Sequence, residues 1–197
     1  MGYTLTTCNC GSNIDTYING TSVKFYAPET MYFPKNSSNL FSYMSAVSSI
    51  VFKPGSINTS KVTNMSWMFG YDRYNLTTLD LTEFDTSNVT NMTAMFSICE
   101  ALNFVNLSSF NITNVTSLDT MFNDCRGFTG TVGPNGSSIR LGNNFIGPQL
   151  TNVANLFRLC HNITSIDITN LDTSQVIDME EMFDGCYLLT TIYVGSG

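Results

Sequence analysis

Residues Phe84–Ser109 read FDTSNVTNMTAMFSICEALNFVNLSS, and the fold turns on how this stretch is read. It recurs with drift along the chain: Ile57–Glu83 reads INTSKVTNMSWMFGYDRYNLTTLDLTE, and from Leu171 the sequence runs LDTSQVIDMEEMFDGCYLLTTIYV. Each copy carries a Met-Phe or Leu-Phe pair: Leu40-Phe41, Met68-Phe69, Met95-Phe96, Met121-Phe122, Leu156-Phe157 and Met182-Phe183. Successive pairs are 28, 27, 26, 35 and 26 residues apart. A period in this range indicates a solenoid, whose units bury their apolar faces only against their neighbours.

Each copy divides in two. In the first half Val89, Met92, Met95, Phe96 and Cys99 are apolar at intervals of three, three, one and three, which predicts one face of a short helix. Asp85-Thr86-Ser87 just before it offers N-cap oxygens. In the second half Leu102, Val105 and Leu107 follow L-x-x-L-x-L, and the last two alternate as a strand does. Strand plus helix at this period predicts leucine-rich-repeat-like coils, with the strands of successive coils paired in parallel about 4.8 Å apart. The expected fold is thus an α/β repeat solenoid of about six coils over residues 29–197.

Composition narrows the partners. Of 197 residues 43% are hydrophobic, as in a globular chain, and only 12% are charged; Ser, Thr and Asn supply the polarity. A net charge of −7 and the lack of a basic stripe argue against nucleic acid. No run approaches the 18 or so apolar residues of a membrane span. The start, MGYTLTTCNCGSN, has neither the basic region nor the apolar core of a secretory signal. An extracellular setting, at a cell or virion surface, then requires another exit, such as release by lysis in a phage particle, or a mature fragment. The twelve Asn-x-Ser/Thr triplets follow from the repeat and are poor evidence for glycosylation.

Residues 1–28 stand outside the repeat. Asn19-Gly20 predicts a hairpin turn and Thr21–Ala27 a strand, so this segment is expected to cap the open end of the first coil or to attach the chain to an assembly. In the coil after Phe128, Thr129–Ser138 (TGTVGPNGSS) is rich in turn residues and is expected to loop out as an insertion.

The phrase Phe84-Asp-Thr-Ser-Asn-Val-Thr-Asn-Met92, then Met95-Phe96-x-x-Cys99-x-x-Leu102, with Leu79-Asp-Leu-Thr in the preceding coil, resembles the BspA-like leucine-rich-repeat surface proteins. The likeness covers about Ile57 to Val194. It implies a non-enzymatic, surface-displayed repeat protein used in adhesion or protein recognition. A short version without a secretion signal also suits a phage tail or head appendage carrying the same repeat.

Few residues offer chemistry. Cys99, Cys125, Cys160 and Cys186 all lie four residues after the Met or Leu of the pair, with Met44 and the Tyr71-Asp72-Arg73 region at that place in the first two coils. They are expected to form a column of buried free thiols, ahead of disulfides or a metal set. Cys8-Asn-Cys10 is a lone C-x-C, suited to a terminal disulfide or to no role. His161 follows Cys160 in sequence, but a core-facing sulfur cannot share a nucleophile's geometry with it, so an exposed, inert histidine is expected. No nucleophile, acid–base pair, metal set, cofactor site or phosphate loop can be assembled, and no enzyme is expected.

The outward face of the strand sheet is the candidate binding surface. Its first column is expected to be Ser49, Thr78, Phe104, Ser138, Ser165 and Thr191, and its second Val51, Asp80, Asn106, Arg140, Asp167 and Tyr193. Phe104 and Tyr193 offer aromatic faces, while Asp80, Asn106, Arg140 and Asp167 offer polar groups for a protein or a glycan. Trp67, at the outward place held elsewhere by Ala94, Thr120, Asn155 and Glu181, either marks a partner site or packs on a neighbouring loop. The expected function is non-catalytic binding to a host-cell-surface protein or glycan; the alternative is a virion or fibre component that assembles with copies of itself.

Overall fold

The computed structural model describes residues 30–195 and, before them, the backbone of two strands, β1 (Asp15–Asn19) and β2 (Ser22–Tyr26). Then come β3 (Met31–Tyr32), β4 (Ser49–Val51), β5 (Ile57–Asn58), β6 (Thr78–Asp80), β7 (Phe104–Leu107), β8 (Gly130–Gly133), β9 (Ile139–Leu141), β10 (Ile163–Ile168) and β11 (Thr191–Val194). One sheet has the order β1-β2-β4-β6-β7-β9-β8-β10-β11, and β3 pairs with β5 in a second. Apart from the antiparallel β1–β2 pair, the ladders are parallel. A third line of contact runs through single parallel bridges, Asn36 to Asn64 to Asn91 to Ser117 to Asn152 to Asp178, one residue per repeat. The chain is a repeating parallel-β arrangement.

The in-and-out alternation of the strands is as expected. Ile50, Leu79, Val105, Ile139 and Ile166 are buried in register with one another, while Asp80 and Arg140 between or beside them are exposed. The rings of the pairs lie inside, with Phe183 half-buried, while Leu40 of the first pair is exposed. Phe41, Phe69, Phe96, Phe122, Phe157 and Phe183 stack face to face, with centroid spacings of 5.3, 5.6, 5.4, 5.6 and 6.1 Å and tilts of 14° or less. A single Phe column thus runs the length of the repeats, and each pair adds about 0.5–1.5 kcal/mol beyond its buried area.

The expected short helices are absent: among the described residues there is no helix. The Val89–Cys99 segment is instead a chain of β-turns, in which Met95 N–H donates to Met92 O, Ser97 to Ala94 and Cys99 to Phe96. Such turns bring Met92, Met95 and Cys99 inward as a helix would, which is why the apolar spacing looks helical. Left-handed residues break any helical continuation. They recur as pairs four apart: Asn39/Tyr43, Trp67/Tyr71, Ala94/Ile98, Thr120/Asp124, Asn155/Leu159 and Glu181/Gly185. Each non-glycine member costs about 1–2 kcal/mol. The return is that every second amide points along the stack. Ala94, Phe96 and Ile98 donate to Asp119, Met121 and Asn123 of the next repeat at 2.8, 2.9 and 2.7 Å.

The Asp-Thr-Ser entry is accordingly an Asx turn and not a helix N-cap: Asp85 Oδ1 accepts the Ser87 amide at 3.0 Å. The same closure recurs at Asn36/Ser38, Asn58/Ser60, Asn64/Ser66, Asn91/Thr93, Asn106/Ser108 and Asn111/Thr113. Here the Asn-x-Ser/Thr triplets are the repeat's corners.

The insertion does not loop out. Within 129–138, Gly130–Gly133 forms β8 and enters the sheet between β9 and β10, with Val132 opposite both Ile139 and Ile166. Gly-Thr-Val-Gly alternates as a strand does, and Gly133 is needed there because a Cβ would lie 2.8 Å from that of Asp167. At the other end of the sheet, β1 and β2 pair from Asp15↔Tyr26 to Asn19↔Ser22, and β2 adds in parallel to β4. Cys8 and Cys10 lie outside the described residues.

Candidate binding face

The second outward column is interrupted between Arg140 and Asp167, where Gly133 of β8 intervenes. Asp80 pairs with Asn106, Asn106 with Arg140, Arg140 with Gly133, and Asp167 with Tyr193, while Gly133 abuts the Asp167 side chain. In the first column Phe104 pairs with Thr78, and Ser165 with Thr191. Ser138, expected here, is buried at 1% exposure, and the place beside Ser165 is taken by Thr131 of β8. The turn-rich composition of the insertion masks Thr131 in the sequence, although the Gly-Thr-Val-Gly alternation signals it.

Two of the expected site residues touch. The Arg140 guanidinium lies 5.5 Å from the centroid of the Phe104 ring, so Phe104 is half-buried beneath a cation rather than offered as a bare aromatic face. Arg140 itself is exposed, and Tyr193 is 55% exposed at the far end of the row. The carboxylate and amide groups carry a structural duty. Asp80, Asn106 and Asp167 each accept the amide two residues on, at 3.1, 3.2 and 3.1 Å, closing the turn that ends their strands. Asp80 and Asp167 stand four strand spacings apart, about 19 Å, too far to act as a catalytic pair.

Trp67 does not join this row. It sits at one of the left-handed turn positions (φ 57°), its ring stacked on Tyr71 at 5.0 Å, and Tyr71 stacks in turn on Tyr43 at 4.6 Å. Gly70 makes room for it, since a Cβ there would come within 2.7 Å of the indole. Trp67 thus packs on its own repeat, half-buried, and not on a neighbouring loop. The Tyr43–Tyr71 contact has its own signal in the sequence, since both residues follow the repeat's Phe by two places.

The four late cysteines are free and form the expected column, three fully buried and Cys186 half-buried. Each thiol donates to the carbonyl of the preceding repeat's ring residue: Cys99 to Phe69, Cys125 to Phe96, Cys160 to Phe122 and Cys186 to Phe157, at 3.0, 3.0, 3.1 and 3.1 Å. Burial raises the pKa of Cys125 and Cys160 well above that of a free thiol and brings Cys186 up to about 11. These are inert thiols. His161 is half-buried against Tyr187, ring centroids 4.9 Å apart, rather than exposed, and the Cys160 proton already has a carbonyl partner. Among the described residues no cluster of three or more His, Cys, Asp or Glu could hold a metal ion, and no helix is long and apolar enough to cross a membrane.

Fold and face define a repeat protein built from stacked parallel-β units that presents a mixed polar and aromatic sheet surface. The chain belongs to the family described as "Mycoplasma protein of unknown function, DUF285", whose profile matches residues 35–138 and 143–192. No curated protein and no solved structure matches the chain.

Proposed function

We propose that the chain is a non-catalytic recognition module of the BspA-like kind, a continuous solenoid that binds a protein or glycan on a cell surface across its sheet face. The observation that carries this reading is the row of Asp80, Asn106 and Arg140 on paired strands, continued beyond Gly133 by Asp167 and Tyr193, together with Arg140 over Phe104. A rigid scaffold holds these side chains at fixed strand spacing, which suits a ligand with repeating polar groups. Display on a cell or virion surface follows from this role. A pull-down on bacterial cells, with a glycan array alongside, tests it. Wild type binds, whereas Arg140→Ala and Tyr193→Ala lose at least tenfold; equal binding by all three removes the face from consideration.

A second reading, a structural virion or fibre component that assembles with itself, is favoured by one feature. The last described repeat exposes Ile177 (88%), Tyr187 (76%), Leu188 (53%) and Val194 (67%). Light scattering after size-exclusion chromatography separates the two: a monomer at micromolar concentration rules out self-assembly.

A further inference from the structure

In the second repeat the thiol column holds a carboxyl. Asp72 lies four residues after Met68, as Cys99, Cys125, Cys160 and Cys186 do after their own Met or Leu. It is 1% exposed, neither carboxylate oxygen has a close hydrogen bond or an ion pair, and the nearby Met44 amide is the one group that favours its charged form. A buried, ionised, unpartnered carboxylate is strongly unfavourable, and a protonated carboxyl is a better donor than a thiol. Every cysteine in the column spends its hydrogen on the ring residue's carbonyl one repeat back; for Asp72 that residue is Phe41.

We propose that Asp72 is the proton-bearing member of the column, donating its carboxylic hydrogen toward the Phe41 carbonyl, and that release of this proton to solvent loosens the seam between the first two described repeats. The seam is the place where Asn39, Phe41 and Tyr43 donate to Ser66, Met68 and Gly70, and where Tyr43 stacks on Tyr71. The ionisable groups around it are Tyr43 on the preceding repeat, Tyr71 and Arg73 on its own, and Cys99 and Glu100 on the following one. Arg73 is committed to Glu100 at 3.5 Å and gives Asp72 no ion pair. Burial brings the carboxyl up to about 7, opposed only by the backbone amide of Met44, so the proton is lost within the neutral range.

The protein carries its own reporter, because its single tryptophan, Trp67, stacks on Tyr71 at this seam. Trp67 emission and the exchange rates of the Phe41 and Tyr43 amides are followed from pH 5 to 9 in the full chain. Wild type is expected to show one transition with a midpoint near 7 and exchange at both amides at least tenfold faster than base catalysis alone predicts above it. Asp72→Asn and Asp72→Cys, the latter carrying the column's own residue, are expected to lose the transition, and His161→Gln to keep it. If one Asp72 variant fails to fold, the other serves. A flat wild-type profile, a transition that survives in a folded Asp72 variant, or one abolished by His161→Gln overturns the proposal.

Discussion

The Thr86 hydroxyl is bonded twice to Asn111: it donates to the Asn111 carbonyl at 2.9 Å and accepts the Asn111 amide at 2.8 Å. Thr59 does the same with Asp85 one repeat earlier, so a buried hydroxyl replaces a backbone rung between repeats. Thr86→Val keeps the shape and leaves an amide and a carbonyl unpaired. The expected loss is about 2–4 kcal/mol in chemical denaturation, against less than about 1.5 kcal/mol for Thr86→Ser.

Ile98 is a β-branched residue held at φ 63°. Asn tolerates this left-handed region far better. Ile98→Asn is therefore expected to raise the thermal midpoint, with a gain of about 0.5–1 kcal/mol after loss of some half-buried apolar surface. A large destabilisation would mean the backbone there is not left-handed.

Asp72 makes stability depend on pH with a definite sign. Its carboxyl titrates near 7 in the folded chain against 3.8 for a free aspartate, so the folded state holds the proton more tightly. The contribution of this group to stability is full below about pH 4, falls as pH rises toward 7, and levels off above it. At pH 8 Asp72→Asn should be more stable than wild type by a few kcal/mol, on the order of 2–4, and the gap should close at pH 4.

The thiol column makes a chemical prediction. In a Cys8→Ser/Cys10→Ser background, a thiol-specific disulfide reagent at pH 8 should leave Cys99, Cys125 and Cys160 unmodified in the native protein and react slowly with Cys186, whose pKa burial pushes up to about 11. All four should react at once in guanidinium. Rapid native modification would place the sulfurs outside the core.

Much of this was legible in sequence, for physical reasons. The inward places of Met95, Phe96, Cys99, Val105 and Leu107 follow from which residues avoid water, and a repeat of about 27 residues fixes what each stacks on. The backbone path between them was not legible. Apolar residues three apart fit a helix and a chain of β-turns equally well. The residues at the left-handed positions, among them Trp67, Ile98 and Leu159, are ones that ordinarily avoid that conformation. The Asn and Asp corners were the available clue, since these side chains favour turns over helix interiors. Within the candidate face, the outward places of Asp80, Asn106, Arg140, Asp167 and Tyr193 follow from strand alternation, but the Gly133 that separates Arg140 from Asp167 does not. Thr131 was missed because glycines flanking a short strand read as a loop.

The sharpest test of the stacked arrangement is the through-hydrogen-bond NMR coupling from the Phe96 amide nitrogen. The stack places its acceptor on Met121, 2.9 Å away in the next repeat. A helix through Val89–Cys99 places it on Met92. Coupling to the Met121 carbonyl carbon is the predicted result, and coupling to Met92 would contradict the account.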